Sequence, residues 1–338
     1  MAGFQEEKAL VLAHYDALGN ATAKNVTSIL AERTSADWHW RGLHPFHEKI
    51  GAGAVAEAFW SPFLTAFSRI QRRQDIFIAG LNEIDGFEGR WVVSMGHLMG
   101  LFDAPFLGIP PTRKIAMLRY AEFNKVEGDR IVETAFFFDL IHLMHQAGLK
   151  PLPSQTGAHL VQPGPMTHNG ILPEDADETE SEKTLNLINR MIFDINNHEN
   201  YQTPQQELSH CWHDNMIWWG PDGIGATYTI DRYIEQHQEP FRNKLKDRRF
   251  NGHVCRLAEG NFGGFFGWAN MTISNAGGYL GLPESNVNAE MRVIDMYRRD
   301  GEKLAENWIF IDILHWLNQQ GLDVLGQLDA EPNSLLSD

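Results

Sequence analysis

The stretch Asp139-Leu140-Ile141-His142, followed by Gly148-Leu149, recurs as Asp312-Ile313-Leu314-His315, followed by Gly321-Leu322. The offset of 173 residues is the same for both motifs, and upstream it relates Glu133 to Glu306. Nearer the start of each copy the offset becomes 178, so that Trp40 corresponds to Trp218. Two copies of this length predict two domains of one fold rather than a solenoid of short units.

The amino-acid composition indicates which kinds of molecule the protein can bind. The formal net charge of −16 disfavours binding to nucleic acids and anionic membranes, whose phosphates would repel the protein. The 20 Phe and 10 Trp residues suit a pocket for a flat hydrophobic ligand, although aromatic side chains are first of all core fillers. Cys211 and Cys255 form no CxxC pair and predict buried, reduced thiols. The first residues resemble neither a signal peptide nor a membrane span, which predicts a cytoplasmic protein.

A proline-rich and acidic stretch separates the two copies. It predicts a linker at residues 156–180, long enough to wrap a surface, between a first domain at 1–155 and a second at 181–325. Residues 326–338 are predicted to form a tail. Each half opens with amphipathic helical stretches and ends with alternating strands, such as residues 114–126 and 130–138. Helices followed by an antiparallel sheet predict an α+β fold.

The hairpin that closes each half carries acidic residues. If Val126 faces Ile131 across the turn, an unbroken register predicts the pairs Asn124–Glu133, Glu122–Ala135, Tyr297–Glu306 and Asp295–Trp308. Two carboxylates would then share one largely aromatic face in each half. Such a pair would raise a carboxyl pKa toward the range useful for proton transfer, unless the carboxylates are partnered by arginines or solvent.

Asp139 and Asp312 each follow a strand and precede a short apolar helix that ends at a glycine. An aspartate in that place predicts a helix N-cap, and Gly148 and Gly321 predict the C-terminal caps. His142 and His315 lie in the first turns of these helices. The alternative is an Asp–His pair at the mouth of a cavity that takes and returns a proton.

Residues 37–47 contain His39, His44 and His47 among two tryptophans. Their spacing is irregular and lacks a carboxylate motif, so the sequence predicts no metal site. The corresponding segment of the second half keeps Trp218 but has no histidine. His97 is likewise replaced by Asn270. A pocket-lining loop and a solvated turn are both compatible with this pattern.

The segment Phe106-Leu107-Gly108-Ile109-Pro110-Pro111-Thr112, the strand after it, residues 130–133 and Asp139 together resemble the SnoaL-like polyketide cyclase family. This family belongs to the nuclear transport factor 2-like superfamily. The second half resembles it through Trp218, Gly281-Leu282-Pro283, Glu306 and Asp312. The resemblance implies two tandem cone-shaped domains, each a curved antiparallel sheet packed on N-terminal helices around a pocket. Most relatives have one domain, so the fused pair is expected to be an internal pseudo-dimer, and a further homodimer is possible.

The resemblance further implies a cofactor-free enzyme that closes rings by intramolecular aldol condensation on a small hydrophobic, aromatic or polyketide-like carbonyl compound. The alternatives are a non-catalytic binding protein, or a cofactor-independent hydrolase, dehydratase or isomerase of the same fold. The candidate catalytic residues are Asp139, His142, Asp312, His315, Glu122 and Asp295. The candidate pocket residues are Trp38, Trp40, His44, Trp91, His97, Glu133, Trp218, Trp219, Glu306 and Trp308.

Overall fold

The protein, seen in a computed structural model that describes residues 3–159 and 162–330, has the predicted α+β architecture. The first half contains α1 (Gln5–Gly19), α2 (Val26–Ala31), β1 (Thr34–Gly42), β2 (His47–Ile50), α3 (Gly51–Val55), α4 (Ser61–Ala66), β3 (Phe67–Leu81), β4 (Arg90–Phe102), β5 (Ile115–Glu127), β6 (Arg130–Phe138) and α5 (Leu140–Gln146). A π-helical turn, Ala56–Trp60, joins α3 to α4.

The second half repeats this order. It contains α6 (Glu178–Asn196), α7 (Pro204–Cys211), β7 (Trp212–Trp219), β8 (Thr227–Tyr228), α8 (Ile230–Tyr233), α9 (Glu239–Lys244), β9 (Leu245–Phe250), β10 (Cys255–Glu259), β11 (Phe262–Asn275), β12 (Ala289–Asp300), β13 (Lys303–Ile311), α10 (Ile313–Gln319) and α11 (Val324–Ala330). A second π-helical turn, Ile234–Gln238, lies at the position equivalent to the first.

Each half builds one curled sheet. The strand order is β2-β1-β6-β5-β4-β3 in the first half and β10-β11-β12-β13-β7-β8 in the second, where β9 also pairs with β11. All neighbouring strands are antiparallel except β1 with β6 and β7 with β13, which are parallel. The sheets are therefore mixed, whereas the sequence predicted wholly antiparallel ones. The parallel pair arises because a long excursion through helices and strands separates its two members, as parallel pairing requires.

The sheets also form the contact between the two halves. Phe266 packs against Trp91 and Phe123, with ring centroids 5.6 and 5.3 Å apart, and Trp268 packs against Phe137 at 5.9 Å. The outer faces of the two sheets are thus buried against each other, and the helices cover the opposite faces. This arrangement leaves the interior of each cone available for a pocket.

The predicted linker runs along both halves. Its Gly170 carbonyl accepts a hydrogen bond from the Phe77 amide at 2.8 Å, and Ala158 exchanges backbone hydrogen bonds with Ala226. Helix α6 begins at Glu178, N-capped by Asp177, and α11 spans the boundary predicted at residue 326. Residues 160–161 and 331–338, within the predicted linker and tail, lie outside the described residues. Among the described helices, none is both long and apolar enough to cross a bilayer.

Candidate active site

The closing hairpins of both halves have a bulge that changes which carboxylates share a face. Val126 pairs with Ile131 as predicted, but a register shift follows, and Glu122 then faces Phe136. In the second half a shift at Arg298/Arg299 places Asp295 opposite Ile309 and Tyr297 opposite Asn307. One extra residue moves every later side chain to the other side of a strand. The prediction that Glu122 shares a sheet face with Glu133, and Asp295 with Glu306, is therefore wrong, because the two carboxylates of each half lie on opposite faces.

The second domain encloses a cavity of about 150 Å³ between its sheet and its helices. Its lining is dominated by aromatic and aliphatic side chains, and polar side chains reach it both from the sheet, as Asp295 and Asn307 do, and from the helices, as Arg242 does. The lining includes Met191, Ile192, Trp212, Trp218, Tyr233, His237, Phe241, Phe250, Phe265, Val293, Asp295, Tyr297, Asn307 and Ile309. A cavity of this size and character can hold an aromatic ring.

Asp295 is the carboxyl group on the cavity wall. Its Oδ1 accepts a hydrogen bond from Asn307 Nδ2 at 3.0 Å, and within the described residues it forms no ion pair. Burial raises the pKa of Asp295 to about 7, although hydrogen bonding from Asn307 and Tyr297 favours the ionised form. The nearby Arg242 is held by Glu207 at 2.7 and 2.9 Å and does not neutralise Asp295. A carboxyl group in this state can both accept and donate a proton near neutral pH.

Trp218 and His237 form another part of the cavity wall. Their rings stack with centroids 3.9 Å apart, and burial lowers the pKa of His237 to about 3, so that its imidazole is neutral. Burial raises the pKa of Tyr233, whose hydroxyl therefore stays protonated as a possible donor. Sequence reasoning missed His237, Tyr233, Tyr297 and Asn307 as site residues. Comparison of the copies gives one signal, because Phe59 stands at the position equivalent to His237.

The interior of the first domain is filled by a buried ion pair. Glu122, at the position equivalent to Asp295, accepts a hydrogen bond from Arg72 Nη1 at 2.6 Å. The Arg72 guanidinium lies over the rings of Tyr15 and Tyr120, at 3.8 and 4.5 Å from their centroids. The second domain has Phe250 at the position of Arg72. The structure therefore removes Glu122 from the candidate catalytic residues, since its charge is compensated and its surroundings are filled.

Asp139 and Asp312 are the predicted N-caps. Asp139 Oδ1 accepts the His142 amide at 2.9 Å, and Asp312 Oδ1 accepts the His315 amide at 3.3 Å. Each cap also reaches across to the other half, because Asp139 accepts the Asp222 amide and Asp312 accepts the His44 amide. Burial raises the pKa of both carboxyl groups, that of Asp312 to about 6. Neither residue lines the cavity that contains Asp295.

Asp312→Ala is expected to lower the free energy of unfolding by roughly 2 kcal/mol, because it removes a helix cap and a hydrogen bond between domains. Urea unfolding followed by circular dichroism measures this loss. Asp312→Asn keeps an acceptor and is expected to be affected less. The matched control is Asp214→Ala, at an exposed position of β7, which is expected to change stability by at most about 0.5 kcal/mol. An Asp312→Ala protein as stable as the control would contradict the capping role.

The other predicted pocket residues have structural contacts instead. On the outer sheet faces, Glu133 pairs with Arg41 at 2.9 Å, Glu306 accepts the Met166 amide at 3.1 Å, and the Trp308 indole donates to Pro163 O at 2.9 Å. Their placement follows from the bulges described above. Glu306 thus holds a linker residue in place, and Trp308 does the same.

The remaining aromatic and histidine candidates are dispersed. The Trp38 indole donates to Thr134 at 2.9 Å, Trp40 packs among phenylalanines, and Trp91 lies in the domain contact. His97 and His142 line a cavity of only about 10 Å³. Arg119, which also lines this cavity, donates a hydrogen bond to the backbone carbonyl of Trp219. Of the predicted residues that the structure describes, only Trp218 and Asp295 line the domain-two cavity.

His44 lies at the boundary between the two halves with two other histidines. The rings of His44 and His47, which flank the β1–β2 turn, approach His315 of α10, with centroids 6.4 and 5.3 Å from it. One ring nitrogen from each of the three histidines lies within 4.8 Å of the others. The sequence predicted no metal site among the histidines of residues 37–47, because their spacing is irregular and no carboxylate motif accompanies them, and it did not place His315 beside them.

Comparisons with solved structures match parts of this chain to several proteins. A SnoaL-like polyketide cyclase from a Jannaschia species is 17% identical and covers 43% of this chain and 92% of its own, with a TM-score of 0.34. An NTF2-like protein from Burkholderia xenovorans is 10% identical and covers 41% of this chain and 96% of its own, with a TM-score of 0.32. AclR from Streptomyces galilaeus is 19% identical and covers 42% of this chain and 96% of its own, with a TM-score of 0.34.

Sequence comparison finds no matching protein-family profile and no matching curated protein. Each of these three matches spans nearly all of the other protein but only about two-fifths of this chain. The matching structures include a SnoaL-like polyketide cyclase and NTF2-like proteins, the group that the sequence resembles.

Proposed function

We propose that the second domain is a cofactor-independent acid–base catalyst that acts on a small hydrophobic carbonyl compound, with Asp295 as the proton-transfer group. The observation that carries this proposal is the position of Asp295, a buried carboxyl group without an ionic partner on the wall of an aromatic cavity. A pKa of about 7 keeps both protonation states populated at neutral pH. That is the condition under which one group can remove a proton and return it.

The chemistry proposed is an intramolecular aldol reaction. Ionised Asp295 removes a proton from the carbon next to a carbonyl group, and the resulting enolate attacks a second carbonyl of the same molecule. A carbon–carbon bond forms, and the protonated Asp295 returns the proton to the new alkoxide. The hydroxyl group of Tyr233, which lines the cavity, can donate a hydrogen bond to the developing oxyanion.

The apolar part of the cavity wall supports a hydrophobic substrate. Trp218 and Phe265 present ring faces or edges to the cavity, and Val293 and Ile309 add aliphatic surface beside Asp295. An aromatic ring in this space would exclude water from the carboxyl group, which strengthens the electrostatic effect of nearby hydrogen-bond donors. We therefore expect an aryl ketone or a related planar carbonyl compound to be the simplest ligand.

Acetophenone in D₂O is a direct probe, because exchange of its methyl protons requires removal and return of a proton next to a carbonyl group. We expect the protein to accelerate this exchange, measured by proton NMR. The rate is expected to increase with pH as Asp295 ionises, with an apparent pKa near 7. Asp295→Asn is expected to lower the catalysed rate by at least about 100-fold. Asp312→Asn, outside the cavity, is the matched control and is expected to retain the rate.

Two outcomes would contradict the proposal. If Asp295→Asn exchanges protons as fast as the unchanged protein, Asp295 is not the base. If acetophenone quenches the tryptophan fluorescence of the unchanged protein more than that of a Trp218→Phe variant but its protons do not exchange, the cavity is a binding site without this chemistry.

A further inference from the structure

The three histidines where the two halves meet have no part in the proposed reaction. His44 and His47 belong to the first domain, and His315 belongs to the second. Nδ1 of His44 and Nδ1 of His315 are buried and have no hydrogen-bond partner among the described residues. A buried ring nitrogen without a partner loses its hydration and gains nothing in exchange, so such an atom calls for an explanation.

We propose that His44, His47 and His315 form a binding site for a divalent transition-metal ion, with Zn²⁺ as the best fit, that joins the two domains. One nitrogen from each ring lies within 4.8 Å of the others. Nitrogens bound to one tetrahedral zinc ion are roughly 3.3 Å apart, so the three ring nitrogens have to approach one another by at most about 1.5 Å to complete the site. Three imidazoles and a water molecule are a set of ligands that zinc accepts.

The surroundings of the cluster also fit a metal site. Nε2 of His315 lies 3.5 Å from Glu290 Oε2, which leaves Nδ1 as the nitrogen that can bind. An imidazole that binds a metal commonly donates its other N–H to a carboxylate in this way. Asp312 accepts the backbone amides of both His44 and His315, at 3.0 and 3.3 Å, and thereby fixes two ligands from different domains.

Arg292 is the charged group that would oppose a cation here. Its Nη1 donates to His47 Nδ1 at 3.0 Å, so coordination through His47 uses Nε2 or displaces this contact. The guanidinium also forms ion pairs with Asp312 at 3.5 Å and with Glu290 at 3.8 Å, so two carboxylates surround one positive charge. Arg292 can therefore release His47 and keep ionic partners when a metal binds.

The duplication supplies an internal comparison. The positions equivalent to His44, His47 and His315 are Asp222, Gly225 and His142, which do not make a three-imidazole set. Two other groups of possible ligands occur among the described residues, but their atoms are already engaged. His145 Nδ1 binds Asp222 at 2.6 Å, and the Cys211 thiol donates to Asp194 at 3.2 Å. We therefore expect one tight site per chain.

Titration of the full chain with Co²⁺ tests the site, because tetrahedral Co²⁺ bound to nitrogen absorbs visible light. We expect saturation at one ion per chain, displacement of Co²⁺ by Zn²⁺, and a higher melting temperature with Zn²⁺. His315→Ala and His44→Gln are each expected to weaken binding by at least about 10-fold and to remove the thermal shift. Two variants guard against misfolding, and circular dichroism without metal checks the fold of each.

His39→Ala and His145→Ala are the matched controls. His39 lies five residues before His44 and pairs with Glu48 at 2.7 Å, and both controls are expected to bind Co²⁺ as tightly as the unchanged protein. Absence of a Co²⁺ spectrum in the unchanged protein would overturn the proposal. So would a loss of affinity in either control as large as that in folded His315→Ala.

Discussion

Asp295→Asn is expected to be more stable than the unchanged protein at pH 8 and about equally stable near pH 4. Burial raises the pKa of Asp295 from 3.8 to about 7. Between pH 3.8 and about pH 7, the carboxyl group of Asp295 is protonated in the folded protein but ionised in the unfolded chain. The free energy of unfolding of the unchanged protein therefore falls as the pH rises from 3.8 to about 7. At about 1.4 kcal/mol for each pH unit, the difference approaches 4 kcal/mol at pH 8.

Asparagine removes this dependence because it is neutral at every pH and keeps the acceptor for Asn307. Urea unfolding of both proteins at pH 4, 6 and 8 measures the difference directly. Asp214→Asn, at an exposed position of β7, is the control and is expected to follow the unchanged protein at each pH. Equal midpoints for Asp295→Asn and the unchanged protein at pH 8 would show that Asp295 is not held in an unfavourable, protonatable state. The acetophenone experiment then reports whether that state serves catalysis.

Arg72→Met is expected to lower the free energy of unfolding by about 3–5 kcal/mol. Arg72 and Glu122 form a buried pair at 2.6 Å, with side-chain exposures of 9% and 5%. Removing one partner leaves an uncompensated charge in the core, which costs far more than the pair itself contributes. Denaturant unfolding near neutral pH measures the loss. The double variant Arg72→Met/Glu122→Gln is expected to recover most of it, because it leaves no buried charge.

Arg73→Met is the matched control for this experiment. Arg73 is the next residue along the same strand, its side chain is 67% exposed, and its Nε lies 3.7 Å from Asp75. Exposed pairs of this kind contribute at most about 1 kcal/mol. If Arg72→Met and Arg73→Met were equally stable, the first domain would not depend on its buried ion pair. The interior of the first domain would then not need a compensated charge, and in this respect it would be like the interior of the second domain.

The caps and the duplication were predictable from sequence, since both depend on residues close together in the chain. An N-cap needs only a carboxylate and a backbone amide three residues later, as in Asp139 and His142. The glycines after these helices have positive φ values, 82° for Gly148 and 94° for Gly321, which other residues rarely adopt. The hairpin turn was also correct at Val126–Ile131, the pair closest to the turn.

The register beyond the turn was not predictable in the same way. A bulge changes no hydrophobic pattern strongly enough to be read from one sequence, yet it reverses the face of every residue after it. Glu133 and Glu306 were therefore assigned to the wrong face, and the partnership of Asp295 with Asn307 was missed. The cluster of three histidines was not predicted for another reason, because His315 approaches His44 only through packing between the domains.

The sequence alone determined that this protein has two copies of an α+β domain, because repeats, helix caps and strand alternation are local patterns. The tertiary structure alone decided that the two interiors differ. Arg72 and Glu122 fill one, whereas Phe250 and His237 leave room beside Asp295 in the other. The physical reason is that charge compensation and free volume depend on which side chains meet across strands and helices. These side-chain contacts depend on β-bulges and on packing between residues far apart in the chain.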